Sequence, residues 1–546
     1  MSWTWLDLAV AALALVLVVG LLTRRSTPPH PPGPRRLPLL GNLLDMPTEK
    51  EWVKFSAWGE TYGDISSVSV LGQQIAILNS TQVAMEMLDK KSSIYSDRPV
   101  IEMGGELIGW KNSLALTPYG VRFRNYRRLA HKLFGNHATM SAFEPLEELE
   151  THRFLQRVCA EPEVLLDHIK KTAGAIILRI AYGYQVAEGV DPFVTLVDTA
   201  INQFSISSSP GGFLVNLIPA LRHVPSWFPG AVFQKTAKEW AESLQQMVEE
   251  PFQLVKQKMA IGTAEPSLAL SLLQDKEVSP AEEFDIKWLA ASLYSGGSDT
   301  TVSSIYTFFK AMVLYPDVQA KAQSEIDAVV GNDRLPSFSD MEHLPYVTAL
   351  VLEVMRWHCV APTDRLHKAI PHRVTEDNVH DGWFFPKGSL VIANIWKTTR
   401  DPRLYSNPMV FDPERFIAKD GEKAELDQRD LTFGFGRRIC PGRVLADASI
   451  FITCAMALAV FNISGDPEFG EIDLEQTTGL ISHPSAFKCS IKPRSDKTFN
   501  LINGTGQRGP NGQSVCTCLL MKSPRQNVMI KRRPIFWLLL PSCCQT

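Results

Sequence analysis

The sequence has almost no excess of charge of either sign. Its 55 lysine and arginine residues and 58 aspartate and glutamate residues leave a formal net charge of -3 over 546 residues. A protein that binds nucleic acid is expected to carry a strongly basic domain. The balance therefore argues against nucleic acid as a partner, and the 45% of apolar residues indicates a globular chain.

The sequence also lacks a regular cysteine framework. Nine cysteines are scattered along the chain, at positions 159, 359, 440, 454, 489, 516, 518, 543 and 544. An odd number without regular spacing is not typical of a secreted, disulfide-bonded protein, so we expect the main domain to be cytosolic. The last four lie in 503–546, a stretch of different composition without histidine. This stretch is predicted to be a disordered tail rather than a metal site.

Internal repeats and an internal linker are absent between about 50 and 500. Apolar residues recur with helical periodicity in 83–90, 121–134, 193–206, 235–258, 286–314, 317–330, 345–358 and 442–461. Short β-rich runs occur at 65–70, 74–78 and 389–394. The pattern predicts one large domain over 43–502, mainly α with small β-sheets.

The N-terminus predicts a single-pass transmembrane anchor over residues 1–25. Residues 3–22 are apolar except for Thr4 and Asp7, and Arg24 and Arg25 follow directly. At about 1.5 Å per residue, such a helix spans a hydrocarbon core of about 30 Å. A cleaved signal peptide is the alternative, but its basic residues would precede the apolar run. Positive charge on the C-terminal flank places the following domain in the cytosol.

A proline-rich stretch, 26–42, follows the predicted anchor. Its prolines prevent the helix from continuing and favour a stiff, extended linker. We expect this linker to hold the next domain at a set orientation to the membrane.

Cys440 stands in FGFGRRICPG, residues 433–442, with no second ligand at the spacing of a zinc site. Neighbouring glycines allow the backbone to approach a flat ligand closely. A helical pattern starts just afterwards, and the N-terminus of a helix stabilises a thiolate. Arg438 can reach a carboxylate of the ligand. Together these features describe the proximal face of a haem.

The same stretch carries a family signature. The pattern F-x-x-G-x-R-x-C-x-G is met by Phe433, Gly436, Arg438, Cys440 and Gly442. Over about residues 30 to 500 the sequence resembles the cytochrome P-450 family, whose cysteine thiolate binds haem iron. The resemblance implies haem b ligated by Cys440, with Arg438, Phe433 and Gly436 in the cofactor-binding segment.

GGSDTT, residues 296–301, lies inside a predicted long helix. By itself it is a helix-weakening patch that suits close packing. In the family, the corresponding glycines open a groove for dioxygen on the distal side of the haem, and an acid–alcohol pair relays protons. The resemblance assigns that pair, as catalytic residues, to Asp299 and Thr300.

Two further motifs resemble family elements. EVMR (353–356) could be an ordinary surface pair at helical spacing. In the family it forms a buried structural triad with the arginine of PERF (413–416), which implies contacts among Glu353, Arg356 and Arg415.

The segment 122–134 resembles the family's W-x-x-x-R element, which binds a haem propionate. Phe123 replaces the tryptophan and Arg127 keeps the cation. Arg124 and Arg128 are predicted to face the reductase. His372 matches another propionate-binding position, although the spacing from the E-x-x-R helix is longer than usual in the family.

The resemblance implies a monooxygenase in the endoplasmic reticulum membrane, with its catalytic domain in the cytosol. It would use O2 and electrons from NADPH-cytochrome P-450 reductase, with cytochrome b5 as a further donor, to oxidise an apolar small molecule. Several segments resemble fungal members that act in secondary metabolism or on xenobiotics, which suggests terpenoid, alkaloid or aromatic substrates. The alternatives are a reductase-independent haem-thiolate isomerase or dehydratase, which lacks the acid–alcohol pair, and a non-enzymatic haem sensor.

Overall fold

The structure, a computed structural model, describes residues 28–135, 137–209, 212–274, 277–363, 371–419, 421, 423–465, 472–479 and 481–504. Residues up to Ile502 belong to one compact unit, and the unit from Asn503 onwards is a separate one. The predicted membrane anchor lies outside the described residues, as does the predicted tail apart from its first two residues.

Helices make up most of the described chain. The α-helices, in chain order, are α1 (Glu51–Tyr62), α2 (Thr81–Ala84), α3 (Val121–Phe134), α4 (His137–Met140), α5 (Glu144–Ala160), α6 (Leu165–Tyr182), α7 (Pro192–Ser207), α8 (Val232–Ala260), α9 (Leu268–Leu273), α10 (Pro280–Leu314), α11 (Pro316–Val329), α12 (Pro345–Trp357), α13 (Ile395–Thr398), α14 (Arg429–Thr432), α15 (Arg443–Val460) and α16 (Asp496–Asn503). A π-helical segment, Met85–Lys90, continues α2.

The strands are short and form small sheets. They are β1 (Ile65–Val70), β2 (Gln73–Leu78), β3 (His372–Arg373), β4 (Asn378–His380), β5 (Trp383–Phe385), β6 (Leu390–Ala393), β7 (Phe461–Gly465) and β8 (Cys489–Pro493). The largest sheet has the order β1-β2-β6-β3. Within it β2 and β6 are parallel, whereas the β1–β2 and β3–β6 pairs are antiparallel. The fold class predicted from the sequence, mainly α with small sheets, is confirmed.

The eight predicted helices and three predicted strands are all present. The largest difference is at α10, which begins at Pro280 rather than at 286. Ser279 caps this helix: its hydroxyl accepts from the Glu282 backbone N–H, while the Glu282 side chain accepts from the Ser279 N–H. This reciprocal capping satisfies two backbone donors that would otherwise lack partners.

Two long helices position the centre of the fold. Helix α10 packs against α6 and also contacts α15. Helix α15 is buried along most of its length, because its apolar residues extend around the whole circumference. It is the one helix among the described residues that is long and apolar enough to cross a membrane, but 78% of it is buried inside the protein.

The proline-rich stretch predicted as a linker is bonded to the sheet over its described part, 28–42. The backbone N–H of Ser67 in β1 donates to the Pro32 carbonyl at 2.7 Å. The side chain of Asn42 donates to the Pro34 carbonyl and accepts from the Ser69 N–H. Proline has no backbone N–H, but its carbonyl can still accept a hydrogen bond. These bonds attach the segment to the edge of the domain.

Candidate active site

A cavity of about 460 Å³ lies between α10, α6 and the loop that precedes α15. Seven of the eight predicted site residues line it: Arg127, Asp299, Thr300, His372, Phe433, Arg438 and Cys440. The structure therefore brings together residues from four distant parts of the sequence.

Gly436 is the predicted site residue that does not line this cavity. It has a φ of +53°, and a Cβ at this position would lie 2.3 Å from the Leu88 carbonyl oxygen. Glycine is required here because the loop passes close to the π-helical segment Met85–Lys90. Gly436 thus shapes the loop, whereas Gly434, which has open space around it, lies on the cavity wall.

Cys440 opens into the cavity three residues before α15 begins. Its backbone N–H donates to the Phe433 carbonyl at 2.8 Å, which closes the loop. Burial raises the pKa of the Cys440 thiol, whereas the backbone N–H of Gly442 and the nearby Arg127 lower it. Burial therefore outweighs these two lowering effects, and a cation bound at the sulfur would favour the thiolate.

Three arginines line the same cavity: Arg98, Arg127 and Arg438. Arg438 donates from Nε to the Ser96 carbonyl at 2.7 Å and from Nη2 to the Thr117 carbonyl at 2.9 Å. Its Nη1 is buried and has no hydrogen-bond partner among the described residues. Burial, followed by repulsion from Arg98, lowers the pKa of Arg438 to about 8 despite the nearby Asp97. An anion in the cavity would supply the missing partner.

Arg127 and Phe123 both project from α3 toward the loop. Arg127 Nη1 donates to the Ile439 carbonyl at 2.6 Å, one residue before Cys440. Phe123 lies beneath Arg438, with the guanidinium carbon 3.8 Å from its ring centre. This stacking supports the arginine without an indole N–H, which explains how phenylalanine replaces the family's tryptophan.

His372 starts β3 and is 2% exposed. Its Nδ1 donates to the Tyr95 carbonyl at 2.5 Å. Burial, together with Arg98, lowers the pKa of His372 well below its usual value, so the ring is neutral. With Nδ1 donating to the Tyr95 carbonyl, Nε2 of the neutral ring is an acceptor, so the predicted contact with a haem carboxylate stays a prediction.

The motif of α10 forms the opposite wall. Thr300 Oγ1 donates to the Gly296 carbonyl at 2.9 Å, which leaves the lone pairs of the hydroxyl available to accept. A Cβ at Gly296 would meet nothing within 4 Å, whereas one at Gly297 would lie 3.0 Å from Ile177 of α6. Gly297 permits close helix packing, and Gly296 keeps space open beside Thr300.

Sequence reasoning missed two residues at the site. Arg98 is 9% exposed and lines the cavity. His483 contacts Asp299, with 3.1 Å between His483 Nε2 and Asp299 Oδ1. SDRP and SHPS, the segments that hold them, carry no pattern that distinguishes them from ordinary loops.

The remaining wall is apolar. The rings of Trp110 and Phe204 lie 4.7 Å apart at 40°, and Leu293, Ile177 and Ile481 add aliphatic surface. Apolar walls with a few convergent polar groups are typical of small-molecule sites.

The predicted structural triad is confirmed. Glu353 and Arg356 are both 0% exposed and form a bidentate pair, with Nε–Oε2 and Nη2–Oε1 distances of 2.7 Å. Arg415 Nε lies 3.2 Å from Glu353 Oε2. Arg356 also donates to the carbonyls of Thr399 and Pro408. The triad therefore ties α12 to the loops that lead to Cys440.

Removing the carboxylate of this triad is expected to destabilise the fold strongly. In Glu353→Ala, two buried guanidinium groups lose their shared anion, and breaking a buried pair costs about 3–5 kcal/mol. Thermal unfolding measures the effect. The control is Glu239→Ala in the exposed Lys235–Glu239 pair, for which we expect no measurable change. Equal unfolding temperatures for both variants would contradict a structural role of the triad.

The cavity fits a haem by its donor set. One thiol shares the cavity with three arginines, one of which has a buried N–H without a partner among the described residues, and haem carries iron together with two carboxylates. A Cβ at Gly434 or at Gly296 would meet no atom within 4 Å. Because both residues are glycines, neither places a side chain in this open space. The fold and site define a haem-thiolate protein.

The chain belongs to the cytochrome P-450 family, whose sequence profile matches residues 31–491. Its relatives are fungal monooxygenases. Cytochrome P-450 monooxygenase 208 of Postia placenta is 52% identical over 497 residues, which is 90% of this chain and 96% of that protein. Monooxygenase claR of Ampulloclitocybe clavipes is 46% identical, with 92% and 93% covered. O-methylsterigmatocystin oxidoreductase of Aspergillus flavus is 40% identical, with 90% and 93% covered.

Solved structures show the same fold. A zebrafish cytochrome P-450 structure with abiraterone superimposes with a TM-score of 0.65 at 23% identity, covering 82% of this chain and all of that one. The protein is thus a cytochrome P-450 monooxygenase, and its cofactor is haem with a cysteine thiolate ligand.

Proposed function

We propose that this monooxygenase is anchored in the endoplasmic reticulum membrane by residues 1–25 and takes electrons from NADPH-cytochrome P-450 reductase. It inserts one atom of O2 into an apolar small molecule of fungal secondary metabolism. The observation that carries the proposal is the single cavity that Cys440, the arginines, the Asp299–Thr300 pair and the apolar wall share.

The proximal residues hold the cofactor. Cys440 Sγ would bind the iron, and Arg438, whose Nη1 has no partner among the described residues, would bind a carboxylate of the haem. Arg127 and His372 line the same cavity, and Arg127 would add a second cation for those carboxylates. Haem bound in this way supplies the iron at which dioxygen is activated.

The polar residues of α10 transfer protons, and the apolar wall excludes water. Gly296 leaves room beside Thr300 for a water molecule, and the Thr300 hydroxyl can accept a hydrogen bond from that water. Asp299 supplies protons from the solvent side. The apolar wall around Trp110 and Phe204 orients the substrate and keeps bulk water from the reacting atoms.

A polycyclic aromatic compound suits this wall. The relative from Aspergillus flavus is named for O-methylsterigmatocystin. The tilted Trp110–Phe204 pair offers two aromatic faces, and aromatic rings gain from offset or edge-to-face contacts. Candidate compounds are identified by the change in iron spin state on binding to the purified holoenzyme.

Replacing Thr300 tests the reaction class. With reductase, NADPH and a compound from that screen, Thr300→Ala is expected to keep the spectrum of thiolate ligation. Product formed per NADPH falls about threefold to tenfold, and hydrogen peroxide rises, because proton delivery is misdirected. Thr300→Ser, which keeps the hydroxyl, is the matched control.

Two results would overturn the proposal. Product formed without NADPH would indicate an isomerase or dehydratase. Wild-type coupling in Thr300→Ala would show that the protons do not pass through this hydroxyl. Oxygen from labelled O2 in the product identifies insertion directly.

A further inference from the structure

Asp299 lies beside a histidine from a distant part of the chain. His483 Nε2 is 3.1 Å from Asp299 Oδ1, and the two side chains are 22% and 26% exposed. Asp299 lines the cavity, whereas His483 is not among its lining residues. The pair therefore extends from the cavity wall outward.

The backbone around His483 is firmly held. The His483 N–H donates to Thr477 Oγ1 at 2.9 Å, and the Thr477 N–H donates to the His483 carbonyl at 2.8 Å. The neighbouring Ser482 carbonyl accepts from Ser303 of α10 at 2.6 Å and from His358 at 2.9 Å. These bonds tie the loop to α10 and to the end of α12, so the imidazole is fixed beside Asp299.

Three other titratable side chains lie near the Asp299–His483 pair: His358, Lys310 and Asp198. Burial lowers the pKa of His358 to about 3, so this neighbouring histidine is neutral and acts as a structural donor. Lys310 of α10 lies close enough to influence His358, and Asp198 of α7 interacts electrostatically with Asp299. Among the described residues, His483 is the basic side chain that lies within 4 Å of the Asp299 carboxylate.

An imidazole differs from a permanently charged partner in one respect. It can accept a proton at one ring nitrogen and release one from the other near neutral pH, whereas arginine cannot give up its proton. At His483, Nε2 faces Asp299, and Nδ1 is the nitrogen through which a proton can enter.

We propose that His483 is a positioning residue that passes protons from solvent to Asp299. The proposal rests on the proposed monooxygenase function, in which a substrate C–H, O2, two electrons and two protons give an alcohol and water. For each proton delivered, His483 Nδ1 takes a proton from solvent and Nε2 gives one to Asp299 Oδ1. The Nδ1 proton then returns to Nε2 through solvent, and the ring is restored.

Two variants separate proton transfer from simple charge pairing. His483→Gln keeps a polar donor of similar size but cannot relay a proton. His483→Arg places a permanent cation beside Asp299 that does not release its proton. His343→Gln is the matched control, because His343 is an exposed histidine in the 3-10 segment Phe338–His343, away from the cavity.

The measurement uses holoenzyme, excess reductase, NADPH and O2, so it needs no identified substrate. We expect NADPH oxidation to slow on the order of tenfold in both His483 variants, less than the 10²–10⁴ of a group acting directly on reacting atoms, because water partly substitutes. The solvent deuterium isotope effect rises and the pH profile of the rate changes. His343→Gln behaves like wild type.

The outcomes are distinguishable. If His483→Arg restores the wild-type rate, isotope effect and pH profile, the residue serves only as an ion-pair partner and the proposal is wrong. If both variants match wild type, the path does not include His483. If the wild-type protein shows neither thiolate ligation nor NADPH oxidation, the proposed function fails instead.

A readout independent of turnover checks the contact itself. In protein labelled at histidine nitrogens, the His483 Nε2 resonance is assigned by its loss in His483→Gln. We expect this resonance to shift in Asp299→Asn, in haem-free and haem-loaded protein alike, because the acceptor carboxylate is removed. An unchanged resonance would show that the hydrogen bond does not form.

Discussion

Cys440→Ser is expected to lose the absorption band of thiolate ligation in the reduced carbon monoxide complex, and product formation falls below detection. Cys440 is the one cysteine among the described residues that line the cavity, and the other sulfur there, in Met355, is a thioether that cannot ionise. Serine has nearly the same size but a far less acidic side chain, so it does not provide an anionic sulfur to the iron. His372, a histidine on the cavity wall, is held by its bond to the Tyr95 carbonyl.

Cys159→Ser provides the control. Cys159 is half-buried in α5, away from the cavity lining, so its substitution should leave the spectrum unchanged. Difference spectra of both purified variants, normalised to haem content, make the comparison. A thiolate band that persists in Cys440→Ser would mean that another residue ligates the iron.

The sequence predicted α15 to within one residue at each end, where Pro441-Gly442 precedes the helix. It placed the start of α10 at 286 rather than at Pro280, because the cap at Ser279-Pro280 lies before the apolar periodicity begins. It did not predict α6, although the first half of this helix is amphipathic and the half that begins at Thr172 is buried on nearly all sides. Strands β3 to β5 were missed because each has only two or three residues and is defined by its partner strand.

At the site, the residues carried by contiguous motifs were predicted, and those brought in by tertiary folding were not. Thr300, Asp299, Arg438 and Cys440 stand in recognisable patterns and line one cavity. His483 reaches Asp299 only because Ser482 bonds to α10 and to His358. Long-range hydrogen bonds of this kind leave no local periodicity in a single sequence.

Arg438 is positioned to bind an anion that the described residues do not themselves provide. Two of its donors bind backbone carbonyls of Ser96 and Thr117, and Phe123 fixes the guanidinium plane. The remaining Nη1 is buried without a partner. A buried, unsatisfied charged donor is unfavourable, and a carboxylate of the haem relieves that cost when it binds.

Arg438→Met is therefore expected to weaken haem retention more than any other rim substitution. A charge-assisted hydrogen bond contributes about 1.5–3 kcal/mol, which corresponds to about 10-fold to 150-fold faster haem loss. Transfer of haem to excess apomyoglobin measures the rate. Arg438→Lys keeps the positive charge but not the paired N–H donors of the guanidinium, so we expect an intermediate rate of haem loss.

Arg437→Met is the matched control, because Arg437 is exposed and bonds Tyr119 rather than lining the cavity. Haem loss from Arg438→Met at the rate of Arg437→Met would show that Arg438 does not bind the cofactor, since the two variants remove the same charge from adjacent positions.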